Sequence, residues 1–163
     1  MSTTPEMARE DLLAQLMREL RLMSSFDALF SHAVAERVGV HATDIETMDL
    51  LNTLGTMTAG ELSGRTGLTS GATTRLIDRL VRKGYVRRKA DESDRRRVLI
   101  EPIYENLDEI EQLYGPMADG MTRVMSAFTD AQLAVIIDFV RRSNAHVSEV
   151  NSSLRAQLHE APD

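Results

Sequence analysis

Residues 58–100, TAGELSGRTGLTSGATTRLIDRLVRKGYVRRKADESDRRRVLI, constrain this chain more than any other stretch. They read as helix, tight turn, helix, then a basic two-stranded hairpin. Thr58 and Glu61 have the spacing of a capping box, in which each satisfies an orphan amide of the other at a helix start. Leu62 is the apolar anchor of that short helix. Gly67 stands where the helix must stop, because glycine takes positive φ without a Cβ clash. Thr69 or Ser70 can cap the next helix through a side-chain oxygen. In that helix Ala72, Leu76 and Leu80 recur at helical spacing, with Ile77 and Val81 one face over, and Gly84 closes it. Two helices joined by a short glycine turn form the helix-turn-helix pattern.

The segment after Gly84 adds a wing. Tyr85 to Lys89 and Arg97 to Ile100 have strand character, and the polar run Ala90-Asp91-Glu92-Ser93-Asp94-Arg95-Arg96 is built as the loop between them. From Arg65 to Arg97 there are 11 Lys/Arg against 4 Asp/Glu, a local net charge of +7 inside a chain whose net is −6. So steep an asymmetry points to a surface that meets a polyanion. The exposed start of the second helix is expected to comprise Thr69, Ser70, Gly71, Thr73, Thr74 and Arg75. Small side chains let a helix end sit deep in a major groove, hydroxyls bond phosphates or base edges, and arginine can bond guanine bidentately. Arg79 and Arg88, with Arg82, Lys83, Arg87 and Lys89, suit phosphates. Asp78 among them is expected to be a structural partner for a neighbouring arginine. Arg95, Arg96 and Arg97 are expected to alternate in direction along a strand.

Leu68-Thr69-Ser70-Gly71-Ala72-Thr73-Thr74-Arg75-Leu76-Ile77-Asp78-Arg79-Leu80, Lys83-Gly84-Tyr85-Val86-Arg87-Arg88 and Asp91-Glu92-Ser93-Asp94-Arg95-Arg96 together resemble the winged-helix core of the MarR (multiple antibiotic resistance regulator) family. The match is close over residues 45–100 and extends to the flanks in helical layout only. Ile100-Glu101-Pro102-Ile103 departs from the Leu-Thr pair with which the family usually opens its next helix. The resemblance implies that a wing-tip arginine, here Arg96, enters the minor groove and that an aspartate two residues before it, here Asp94, steadies it. Arg95 lies between them. A narrow A·T-rich minor groove, with its deepened negative potential, suits such an arginine. The resemblance also implies a cleft between dimerisation helices and winged lobe that takes small, often aromatic, anions. Its candidate lining here is Phe26, Phe30, Met48, Met57, Met117 and Met121, side chains that serve equally well as plain core.

The flanks read as long helices. Residues 1–5 are expected to fray and lack the apolar core of a signal peptide. A helix follows from Glu6 to about Val38 with Leu13, Leu16, Met17, Leu20, Met23, Phe30 and Val34 in one stripe. Thr43 is expected to cap the next helix, with Ile45, Met48, Leu51 and Leu54 inward. After the wing, a helix from about Tyr104 to Phe128 carries Leu107, Ile110, Leu113, Tyr114, Met117, Met121, Val124 and Met125. Gly115-Pro116 should kink it. Thr129-Asp130-Ala131-Gln132 is a second capping box, opening a helix that runs towards Leu158. The stripes of the first and last helices are longer than a small core can cover, and a second copy of the chain is the simplest cover. The resemblance implies the same arrangement.

These features give a mainly α fold, a winged helix-turn-helix with a small β-hairpin plus a helical dimerisation region. The expected division is 1–40, 41–103 and 104–163. The absence of cysteine excludes a thiol redox sensor, a disulfide scaffold and a thiolate zinc site. His32, His41, His146 and His159 include no pair at i,i+3 or i,i+4 and suggest no metal. No cofactor is implied, and no nucleophile elbow, phosphate loop or paired acid–base constellation suggests an enzyme. The expected function is a cytoplasmic, sequence-specific transcriptional regulator, a repressor released by a small aromatic or anionic effector. It binds a pseudo-palindromic stretch of double-stranded DNA as a homodimer and does not enter a membrane. The competing expectation is a winged-helix protein-interaction module that does not bind DNA.

Overall fold

The computed structural model describes residues 8–160, with backbone alone at 155, 156 and 158–160. The expectations for residues 1–7 and for the side chains of Leu158 and His159 lie outside the described residues. The chain divides into two compact units, one up to Glu46 and one from Thr47 onward.

In the first unit, α1 spans Arg9–Val38 and ends at Gly39 in the left-handed conformation. Val34, Ala35 and Val38 near its end are buried. Leu13, Leu16, Met17 and Met23, earlier on the expected stripe, are exposed. Helix α2 spans Ala42–Leu54 and crosses into the second unit. Its start corrects the expected cap: Thr43 lies inside the first turn. The buried Asp44 carboxylate instead accepts the His41 amide at 3.0 Å. Ile45, Met48 and Leu51 are buried as expected, but Leu54, at the end of the helix, is exposed.

The second unit is built around one amphipathic helix. After α2 comes β1 (Met57–Thr58), then α3 (Ala59–Thr66), α4 (Ser70–Lys83), β2 (Val86–Ala90) and β3 (Val98–Pro102). Both halves of the α3 capping box form: the Thr58 amide donates to Glu61 Oε2 at 2.7 Å, and the Glu61 amide donates to Thr58 Oγ1 at 3.2 Å. Gly67 and Gly84 end α3 and α4 with φ of 71° and 78°, conformations that a Cβ disfavours. Helix α4 buries Thr73, Leu76, Ile77 and Leu80, the i, i+3, i+4, i+7 set of one face. That face packs against α3 and β2. The antiparallel sheet has the order β1-β3-β2, so the strand before the helix-turn-helix pairs with the outgoing strand of the wing. Met57 lies opposite Ile100 and Thr58 opposite Leu99, while Val86 lies opposite Pro102 and Ala90 opposite Val98. The core here comprises Leu51, Met57, Leu62, Leu76, Ile77, Leu80, Val86 and Ile100, each at most 4% exposed.

The non-consensus Ile100-Glu101-Pro102-Ile103 delays the next helix. Strand β3 runs through Pro102, a single 3-10 turn covers Tyr104–Asn106, and α5 begins at Asp108 rather than near Tyr104. Pro102 is tolerated there because it stands at the strand end. Helix α5 spans Asp108–Met125 and continues through Pro116. The second capping box forms, with the Thr129 amide donating to Gln132 Oε1 at 2.9 Å, and opens α6 (Asp130–Glu160). Leu107 at the start of α5 and Ile110 within it are buried, while Met117, Met121, Val124 and Met125 are exposed. On α6 exposed apolar side chains extend from Val135 to Leu154.

Two substitutions test this account by urea unfolding. Leu62, 0% exposed, is the apolar anchor of α3, and Leu62→Ala should lower stability by about 2–5 kcal/mol. Thr58→Ala, which removes one half of the capping box, should cost only about 1 kcal/mol. Equal losses in the two variants would contradict the assignment of Leu62 to the core.

Candidate nucleic-acid interface

The burial of one face of α4 decides what its other face can offer. Thr69 is the cap, its Oγ1 accepting the Ala72 amide at 3.3 Å. Its hydroxyl proton therefore remains for an outside acceptor. Ser70, Gly71, Thr74 and Arg75 are exposed beyond it. One nitrogen of the Arg75 guanidinium lies beside Gly71, 3.7 Å from where a Cβ would stand, an ordinary contact distance. Thr74 donates to the Ser70 carbonyl at 2.9 Å, so it must release that bond before donating to a phosphate. Thr73 corrects the sequence reading. It is 2% exposed, lies on the Leu76–Ile77–Leu80 face and donates to the Thr69 carbonyl at 3.1 Å. It is a core residue, because a 3.6-residue repeat turns it inward.

Further along α4, Asp78 meets the wing. Arg88 Nη2 lies 2.7 Å from Asp78 Oδ1, so Asp78 is the structural partner that its position among basic residues suggested. Arg82 Nε donates to the Asp78 carbonyl at 3.3 Å. Arg79 is half-buried. On β2 the side chains alternate. Arg88 turns to α4, whereas Arg87 and Lys89 meet Glu101 of β3, which stands directly opposite Arg87 in the register. Glu101 is held below the usual carboxylate range, first by the Arg87 hydrogen bond and then by the charges of Arg87 and Lys89.

The wing tip is not a strand. The ladder ends at Ala90 opposite Val98, and residues 91–97 form a turn. The expected strand alternation of Arg95, Arg96 and Arg97 therefore does not occur. Aspartates set their directions instead. Asp91 Oδ1 accepts the Ser93 amide at 2.8 Å and the Ser93 hydroxyl at 2.6 Å, and these bonds hold its carboxyl below the usual range. Asp94 Oδ1 accepts the Arg96 amide at 3.1 Å and Arg96 Nε at 3.3 Å. The Arg96 side chain is nonetheless 92% exposed. Arg97 turns back from the tip, its Nη2 donating to Glu61 Oε1 at 3.3 Å and its Nη1 lying 3.8 Å from Asp91 Oδ2. Arg95 is exposed, and among the described residues no hydrogen bond or ion pair holds it or Arg75.

Sequence reasoning missed the acids of this surface. Glu61 was legible as a cap but not as a partner of Arg97, and Glu101 lies just outside the basic run. Counting from Glu61 to Glu101 there are 11 basic and 6 acidic residues, so the surface is net +5. Hairpin register alone would have placed Glu101 opposite Arg87.

The candidate effector-lining residues differ in exposure. In the unit from Thr47 onward, Met48 and Met57 are buried in the core, whereas Met117 and Met121 are exposed on α5. In the first unit, Phe26 is exposed and Phe30 half-buried. An open apolar groove lies at the α5–α6 turn, lined by Phe128, Ala131, Gln132, Val135 and Ile136. No group of three or more His, Cys, Asp or Glu among the described residues could hold a metal ion. No described helix is long and apolar enough to cross a membrane.

Comparison with known proteins places this geometry. The MarR family model matches residues 40–98. An uncharacterized HTH-type transcriptional regulator of Bacillus subtilis, YcgE, is 36% identical over 136 residues, covering 83% of this chain and 88% of that protein. A second B. subtilis regulator of the same description, YsmB, is 28% identical over 123 residues, covering 76% and 84%. Among solved structures, a MarR family protein from Bacillus stearothermophilus shares the fold with a TM-score of 0.63 and 23% identity. That similarity covers 87% of this chain and 99% of the other. A transcriptional regulator from Thermotoga maritima gives 0.59 and 22%, covering 86% and 98%. Capped α4, acid-ordered wing and a relative matched over most of its length lead to one conclusion: the chain belongs to the MarR family of winged-helix, DNA-binding transcriptional regulators.

Proposed function

We propose that the protein is a homodimeric repressor that reads a pseudo-palindromic operator and is released by a small aromatic or anionic effector. The observation that carries the DNA reading is the pairing of two differently placed arginines. Arg75 stands unpaired on the exposed first turns of α4, and Arg96 projects from the wing tip while Asp94 steadies its backbone and Nε. The first suits a guanine edge in the major groove, and the second a narrow A·T-rich minor groove. Thr69, Ser70, Gly71 and Thr74 approach the backbone or base edges, Arg79 and Arg95 supply phosphate contacts, and Arg88 reaches phosphate when its Asp78 ion pair opens. The competing reading, an interaction module without DNA binding, predicts none of the salt dependence that phosphate contacts produce.

Exposed apolar faces support the dimer. Leu12, Leu16, Phe26 and Leu29 on α1, and Val135, Ile137, Val140 and Val147 on α6, are each at least 41% exposed. Apolar side chains left exposed in such number mark an interaction site, and a second copy covers like with like. We propose the terminal helices, residues 1–40 and 104–163, as that interface. The proposed effector contacts the apolar face of α5 at Met117 and Met121. It releases DNA by binding the non-competent spacing of the two α4 helices more tightly, since equal affinity for both spacings shifts nothing.

Light scattering should give a mass of about 36 kDa, twice the 18.2 kDa chain, and a folded monomer at micromolar concentration would contradict the dimer. Binding titrations should separate the arginines. Arg75→Ala should relax discrimination at one base pair by about 1–3 kcal/mol. Arg96→Ala should cost more on A·T-rich than on G·C-rich flanks. Equal losses on every duplex would reduce the surface to a diffuse basic patch. Asp78→Asn should free the Arg88 guanidinium for phosphate and steepen the slope of log K against log salt by roughly one. An unchanged slope would place Arg88 out of phosphate reach.

A further inference from the structure

Among the described residues the wing tip has one side-chain tie to the rest of the winged helix. Beyond the last ladder pair, Ala90 with Val98, the contacts of Asp91, Ser93, Asp94 and Arg96 stay within residues 91–97, and Glu92 reaches only Lys89 of the same hairpin. Among the described residues of the tip, Arg97 alone reaches outside the hairpin. Its guanidinium spans Asp91, whose side chain is 13% exposed and shapes the turn, and Glu61, whose other oxygen is committed to the α3 cap. The backbone adds to this hinge, since the Asp91 amide donates to the Arg97 carbonyl at 3.1 Å and the Arg97 amide to the Asp94 carbonyl at 2.8 Å. Glu61 is itself fixed, because Thr58, its capping partner, pairs with Leu99 in the sheet. The bridge thus runs from the rigid start of α3, through Arg97, to the carboxylate that forms the turn.

We infer that Arg97 is a positioning residue: through the Glu61–Arg97–Asp91 bridge it sets the direction of the wing tip relative to the helix-turn-helix, and so sets how strongly the tip discriminates A·T-rich from G·C-rich minor grooves. The inference rests on the reading that Arg96 occupies a minor groove. Exposed ion pairs contribute little to stability, so the bridge acts on geometry rather than on folding. A tip without it keeps its internal turn but loses its fixed orientation. Arg97 itself touches no base.

The test separates positioning from charge. The full-length protein is titrated by fluorescence anisotropy against operators with A·T-rich or G·C-rich flanks and against random duplex, at several salt concentrations. Variants are Arg97→Ala, Glu61→Gln, the double variant and Arg96→Ala, each checked by circular dichroism. Glutamine at position 61 keeps the capping box while removing the charge. Arg97→Ala removes a cation and should weaken binding to every duplex, whereas Glu61→Gln removes an anion and should strengthen it. Despite these opposite effects, both should reduce the A·T-over-G·C preference by roughly 3-fold or more, and the double variant should reduce it no further, as residues of one network do. If Arg97→Ala only weakens all duplexes alike and Glu61→Gln leaves the preference intact, Arg97 is a phosphate contact and the positioning role is overturned. If the unsubstituted protein shows no flank preference, the minor-groove reading fails and the inference falls with it. A preference that depends on Arg96 but not on Glu61 overturns the positioning role alone.

Discussion

Burial of one face of α4 is the constraint on which the rest of this structure depends. Leu76, Ile77 and Leu80 lie against α3 and β2, and each is at most 3% exposed. Burying three such side chains supplies several kcal/mol of hydrophobic stabilisation, far more than any exposed ion pair nearby. Because each helical residue turns about 100°, fixing that face fixes the opposite one. Arg75 and Asp78 face outward for the same reason that Thr73 does not. The glycine turns at each end then deliver the helix to its place without strain, and the β1–β3 pairing ties the wing to the start of α3.

On that frame, the acids of the surface do as much as the bases. Arg87, Arg88 and Lys89 are adjacent in sequence but meet Glu101, Asp78 and Glu101 respectively. Asp94 and Asp91 direct Arg96 and Arg97 in opposite senses from neighbouring positions. A run of like charges would repel and splay if left alone. Here interspersed carboxylates set the directions of individual arginines, and among the described residues Arg75 and Arg95 have no hydrogen bond or ion pair. Carboxylate partners thus fix where individual cations of this surface stand, while the net positive charge that attracts a polyanion is kept.

Much of this was legible in the chain. The Thr58–Glu61 and Thr129–Gln132 capping boxes, the stops at Gly67 and Gly84, and the helix-wing order all formed where spacing placed them. Local chemistry dictates such features, so local sequence reveals them. Thr73 differs because its hydroxyl suggests a surface residue, whereas its spacing to Leu76, Ile77 and Leu80 puts it on the buried face. The tip arginines were misjudged because a side-chain-anchored turn has no periodicity. The start of α5 shifted because strand pairing carried the chain through Pro102 before a helix could begin. Glu61 and Arg97, 36 positions apart, could be joined only by the fold.

The central claim is that α4 reads a major groove while the wing tip reads the minor groove beside it. Dimethyl sulfate footprinting on a selected operator tests it directly, because the reagent methylates guanine N7 in the major groove and adenine N3 in the minor groove. The account predicts guanine protection in two half-sites about one helical turn apart, with adenine protection confined to the flanks next to them. Guanine protection without any flanking adenine protection, or uniform protection across the duplex, would contradict it.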